Sequence, residues 1–431
     1  MLELVDGRDR VTPVHIARPR ALSEGASEDD VRAVVERVRL EGDAALVDLS
    51  ARRHGVKPTR DDLRVDPSAV AASRSLVRPE VVHALEVLAE RVRAVCERQR
   101  PQGWIERRGD EFAGEIVRPL RRVGIHVPNE VAARPSSVIA GAVPASVAGV
   151  EGVAVVCPPG PRAEVPETVL AACAIAQVDE VYRVGGAPAI AALAYGTESV
   201  RPVDAIVASG APEVGIAARL VRGWVGVTTD VGSGELLVIA DDTADPAAVA
   251  ADLVAQAERG GHGTLALVTW VPDVVEAVTT ALEFEVVRHE RPDAVENALI
   301  EGGRAVVVRD LQHALDTANA FAPARLELVV EGAADALDGV RNAGAVFVGP
   351  AAAASAGNYM AGIPDVLPSG GSARWSSGLS VRDFTKTIYV GGSEPSALAR
   401  LAEHIDAVAD AEGLAGHARA VQARLDRSGP R

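Results

Sequence analysis

From residue 120 onward the chain repeats one unit: a short, wholly apolar run followed by an alanine-rich stretch with helical spacing. Runs at 153–156, 181–184, 205–207 and 236–240 form one series, separated by stretches such as 166–177 and 187–195. Runs at 264–269, 305–308, 326–330 and 345–348 form a second series. A strand that is apolar at every position leaves no face for water, so both faces must be covered. The pattern therefore predicts an α/β fold built on parallel sheets with helices on each side. Two series predict two lobes with a cleft between them.

Upstream, Ser27 followed by Asp30 marks a helix start, and Val31, Val34, Val35 and Val38 continue it at helical spacing. A second amphipathic helix is expected to open at Pro79–Glu80 and to run through Val81, Leu85, Leu88 and Val92 to about Gln99. The segments 397–409 and 415–425 read as closing helices.

Composition narrows the function classes. With 431 residues, 48% of them hydrophobic, the chain can bury one large core or several smaller ones. A net charge of −16 disfavours nucleic acid as a partner, because phosphate neutralisation needs a basic surface. The lysines are Lys57 and Lys386, so a Schiff-base mechanism has two candidates. Cys96, Cys157 and Cys173 are far apart and form no CxxC pair, the pattern of a reducing compartment. The polar, acidic start and the lack of an eighteen-residue apolar run predict a cytoplasmic protein without a membrane span.

The glycine-rich turns are weak signals. Gly185–Gly186 stands between a strand and a helix, where main-chain amides can receive a phosphate. Gly210 and Gly215 have Walker-like spacing without the Lys-Ser/Thr pair. Taken alone, these glycines are better read as structural turns than as a nucleotide site.

Longer segments say more. GIHVPNEVAARPSSVIAGAVPASVAGV (124–150), VYRVGGAPAIAALAYGTESV (181–200), GELLVIADDTADPAAVAADLVAQAE (234–258), the stretch 342–387 and EGLAGHARAV (412–421) resemble the histidinol dehydrogenase family, in order and over about residues 20–425. The resemblance implies an α/β protein with two Rossmann-like parallel-sheet lobes, a helical N-terminal arm and a C-terminal helical region, assembled as a homodimer. The division it implies is an arm at 1–22, a first lobe of 23–120 plus 237–378, a second lobe at 121–236, and a C-terminal dimerisation region at 379–431. It also implies oxidation of L-histidinol to histidine in two NAD-dependent hydride transfers, with one zinc holding the substrate and a Glu-His pair moving protons.

At the positions the resemblance assigns to that chemistry, this sequence departs from the family. The zinc-ligand positions read Gln256, Arg259 in place of His, Asn358 in place of Asp, and His417. Arginine offers no lone pair at neutral pH, and an asparagine carbonyl is a weak zinc ligand. His262, three residues beyond Arg259, is a neighbour that could substitute as a ligand only if the turn after Gly260–Gly261 brings it to the site. The Glu-His pair reads Ala324-Arg325. Around the dinucleotide, the family's Tyr is His126, its two glycines are Asn129 and Glu130, its Gln is Pro188, its P-G-N turn is Ser209-Gly210-Ala211, and a Ser is Gly234.

These departures set the functional expectation. No cofactor is expected: zinc is not expected at the site, and NAD stays open. Gln256, Arg259, Arg325 and Asn358 would bind a small anionic, amino-acid-like metabolite in a repurposed cleft, since guanidiniums pair with carboxylates and phosphates. His417, Glu412 and Asp365 would supply acid–base chemistry, and His126, Gly185, Gly186 and Gly210 would form the dinucleotide site. Two other readings stand beside this one: an NAD-dependent oxidoreductase of the family with an altered substrate, and a non-catalytic subunit kept for a protein partner.

Overall fold

The computed structural model describes residues 1–9, 27–54, 58–129, 132–160, 163–231, 234–259, 263–351, 353–360, 362–363 and 366–426. The chain divides into two compact units, one of Met1–Gln99 with Leu120–Phe384 and the other of Arg100–Pro119 with Thr385–Arg431.

The first unit holds two parallel sheets. One has five strands in the spatial order Glu180–Tyr182, Gly152–Val156, Arg122–His126, Ala205–Gly210, Gly226–Val231. Chain order runs outward in both directions from Arg122–His126, so the topological switch lies between that strand and Ala205–Gly210. Alternate residues serve opposite cores. Val123, Ile125 and Val155 pack with Leu85, Leu88 and Val92 of the helix Pro79–Arg98. Ala154, Val156 and Ile206 pack with Val31, Val35 and Val38 of the helix Glu28–Glu41, whose Asp30 amide donates to the Ser27 hydroxyl.

The other sheet has six strands in the order Glu3–Asp6, Gly303–Val307, Leu265–Thr269, Leu236–Ala240, Arg325–Val329, Ala345–Val348. The run at 236–240 thus pairs with the second series, not with the series it follows in the chain. Leu236, Val238 and Ala240 join the core under the helix Pro246–Ala257, whereas Leu237 and Ile239 join the opposite one. The same alternation sends Leu326 and Leu328 to that opposite core. Arg325 and Glu327, fully buried, are left on the side of the 246–257 helix.

The second unit contains a three-stranded antiparallel sheet, Thr385–Ser393, Glu111–Pro119 and Trp104–Arg108, followed by the helices Pro395–Ala411 and Ala415–Leu425. The strand at 385–393 corrects the expectation that 379–431 is helical, because its mixed residues T-K-T-I-Y-V-G-G-S form no apolar run and pair with Glu111–Pro119 instead. Among the described residues, no helix is long and apolar enough to cross a membrane.

Candidate functional site

The predicted residues fall into separate groups. At the carboxyl ends of the five-stranded sheet, His126 ends one strand and Gly210 the neighbouring one, with Gly185 and Gly186 at the start of the helix Gly186–Tyr195. The buried His126 ring joins these pieces. Its Nδ1 lies 2.7 Å from the Ser209 carbonyl oxygen, and its Nε2 lies 3.0 Å from the Gly186 amide. A carbonyl can only accept and an amide N–H can only donate, so Nδ1 carries the proton and Nε2 accepts. Gly186 has φ +65°, and a Cβ there would meet the Glu213 carboxylate and the Arg53 guanidinium, which are ion-paired. Ligand crevices of open α/β sheets lie at this kind of switch point, outside the carboxyl strand ends.

A second group sits at the amino ends of the six-stranded sheet. Gln256 lies in the last turn of the 246–257 helix, 2% exposed, and its Oε1 has no hydrogen-bond partner among the described residues. Arg259 follows and lines a cavity of about 760 Å³ together with Leu85, Leu88, Arg134, Arg291 and Tyr359. Arg134 belongs to the loop after the His126 strand, so segments that follow strands of both parallel sheets contribute to this cavity. Arg325 begins the strand Arg325–Val329. Asn358 lies in the short helix Ala354–Tyr359. Asp365 and His262 lie outside the described residues.

Glu412 and His417 belong to the second unit and are exposed, His417 on the helix Ala415–Leu425. Among the described residues, no three His, Cys, Asp or Glu side chains come together to hold a metal.

Several residues at the second group were not anticipated. Buried Glu235 accepts from the Ala324 amide at 3.3 Å and the Gly370 amide at 2.7 Å, which fixes the approach to Arg325. Glu327 Oε1 accepts from the Ala354 amide at 2.6 Å. Burial raises the Glu327 carboxyl, and the neighbouring Asp252 charge raises it further. Asp252, on the 246–257 helix, is raised by burial too. The available signal was a Glu inside an otherwise apolar strand, L-E-L. His289, half-buried, bonds Glu258.

With this geometry in place, similarity can be weighed. The family model "Histidinol dehydrogenase" matches residues 17–425. The chain belongs to the histidinol dehydrogenase family. It is 40% identical over 408 residues to the histidinol dehydrogenase of Synechococcus sp., covering 93% of each chain. It is 39% identical over 429 residues to that of Moorella thermoacetica, covering 98% of this chain and 100% of the relative. The crystal structure of histidinol dehydrogenase from Elizabethkingia anophelis superposes with a TM-score of 0.93 at 27% identity, covering 100% of this chain and 99% of that one. The family and the α/β architecture expected from sequence are thereby shown.

The functional expectation is corrected by the same findings. A repurposed, zinc-free cleft for an anionic metabolite, an altered substrate, and a non-catalytic subunit were all inferred from substitutions at a few positions. Identity of about 40% spread over 93–98% of the chain points instead to an ordinary histidinol dehydrogenase. The expectation of no cofactor falls with it, since histidinol dehydrogenases are NAD- and zinc-dependent.

Proposed function

We propose that this chain is a histidinol dehydrogenase, oxidising L-histidinol to histidine with NAD as hydride acceptor. The observation that carries the reading is co-linear likeness to curated histidinol dehydrogenases across nearly the whole chain. NAD, when bound, accepts hydride. His126, Gly185, Gly186 and Gly210 are the residues proposed to border it, and their convergence at the switch point of the five-stranded sheet supports that assignment. Substrate is proposed to lie at the amino ends of the other sheet, against Gln256, Arg259 and Arg325 of the first unit.

Zinc comes into the proposal with the family. The orphaned Oε1 of Gln256 suits a metal ligand, but the Arg259 guanidinium does not. The described residues of one chain therefore do not complete a zinc set, and no step is assigned to the metal. A homodimer is part of the same reading. Its support is that the antiparallel sheet exposes apolar side chains on both faces, Trp104 and Tyr389 on one and Ile105 and Ile388 on the other. The lobe boundaries at 121–236 and at 23–120 plus 237–378 are proposed with it.

Turnover tests the proposal. Protein purified without chelator and given L-histidinol, NAD and zinc is expected to form histidine; no histidine under these conditions contradicts it.

A further inference from the structure

The turn that ends the helix Pro246–Ala257 carries Gln256 and Arg259 to the candidate site, and the last carbonyls of a helix have no donors within it. Just past that end, outside donors hold the carbonyls of the turn. Arg291 Nη2 donates to the Glu258 carbonyl at 2.9 Å. Arg134 Nη2, from the opposite lobe, donates to the Arg259 carbonyl at 3.4 Å. Cations at this end also complement the helix dipole.

The Glu258 side chain is held as well. Its Oε2 lies 2.9 Å from His289 Nε2, and His289 Nδ1 accepts the Arg291 amide at 3.0 Å. An imidazole whose Nδ1 accepts a main-chain N–H carries its proton on Nε2, so the ring can donate to the carboxylate. His289 and Arg291 thus grip Glu258 through both its side chain and its main chain. They do so from the short connection between the helices Pro272–Arg288 and Pro292–Gly302, and Arg291 itself reaches the cavity wall.

We infer that His289 and Arg291 are positioning residues, clamping the Glu258–Arg259 turn so that Arg259 keeps a fixed place in the cavity wall. Their effect on catalysis rests on the function proposed above; the clamp itself does not. Partners that orient site residues are typically worth about 10- to 100-fold in activity.

The experiment combines hydrogen exchange with steady-state kinetics on the full chain. In His289→Ala and Arg291→Ala, amide exchange at 254–259 is expected to rise while the five-stranded sheet exchanges as in the parent. kcat/KM for histidinol is expected to fall about tenfold or more. Glu258→Gln, which keeps an acceptor for His289, and Arg291→Lys, which keeps one donor, are expected to recover most of the loss. Glu258→Ala is not. Unchanged exchange at 254–259 in the alanine variants, or equal behaviour of Glu258→Gln and Glu258→Ala, overturns the clamp. If the parent makes no histidine, the proposed function fails and the exchange data still decide the clamp.

Discussion

Glu180 is a carboxylate almost out of water, in contact with Arg122, Arg201 and Tyr182. Burial works to raise its carboxyl, but hydrogen bonds from Arg122 and Tyr182, the Arg122 charge and Arg201 outweigh burial and hold it at about 2. A depressed carboxyl contributes stability that is complete above its ordinary value of 4.5 and is lost as pH falls towards 2. Removing one partner of such a pair leaves the buried Arg122 charge uncompensated, so Glu180→Ala is expected to cost about 3 to 5 kcal/mol. Denaturant titration at neutral pH checks the magnitude, and a shallower acid limb between pH 4.5 and 2 checks the cause. None of this network was legible in the sequence. Glu180 and Arg122 are 58 positions apart, and only the pairing of neighbouring strands brings them together. The bond between His289 and Glu258 was hidden for a related reason, since the two residues are 31 positions apart. By contrast, Ser27 and Asp30 announced their helix, because a capping box is local chemistry.

Elements whose signal is periodicity were readable; those whose signal is pairing were not. The apolar runs at 236–240, 264–269, 305–308, 326–330 and 345–348 all became strands of one sheet. The edge strand Gly226–Val231 and the antiparallel strand Thr385–Ser393 went unread, because partly exposed strands need no continuous apolar run. At the candidate site, the strand Arg325–Val329 is tied to two helices by one side chain. Glu327 bonds the first amide of Ala354–Tyr359 and shares its pocket with Asp252 of the 246–257 helix. A carboxyl raised by burial and by a second carboxylate keeps its proton in the fold after the unfolded chain has released it. Stability is therefore lost as pH rises above 4.5. Glu327→Gln mimics the protonated form, so its stability is expected to fall less than the parent's between pH 5 and pH 8 in paired denaturant titrations, consistent with a carboxyl pair that shares a proton. Parallel slopes for the two proteins would contradict that origin.

For the whole molecule, sequence sufficed to place the chain in its family and fold, because those depend on hundreds of positions acting together. The candidate site was only partly legible. Its positions could be named, but the partners that set their chemistry, Glu235, Asp252, Glu327, His289 and Arg291, come from distant parts of the chain. Assembly belongs to this scale as well: light scattering on the purified protein is expected to give twice the 44.6 kDa chain mass, and a strict monomer would remove the homodimer from the account. The central claim is that the chain performs the family's oxidation with the side chains it has, including Ala324 and Arg325. The measurement that tests it most directly is the ratio of NADH to histidine formed from L-histidinol. The account predicts two NADH for each histidine, one for each hydride transferred. Neither product accumulating, with zinc and NAD both supplied, would contradict it.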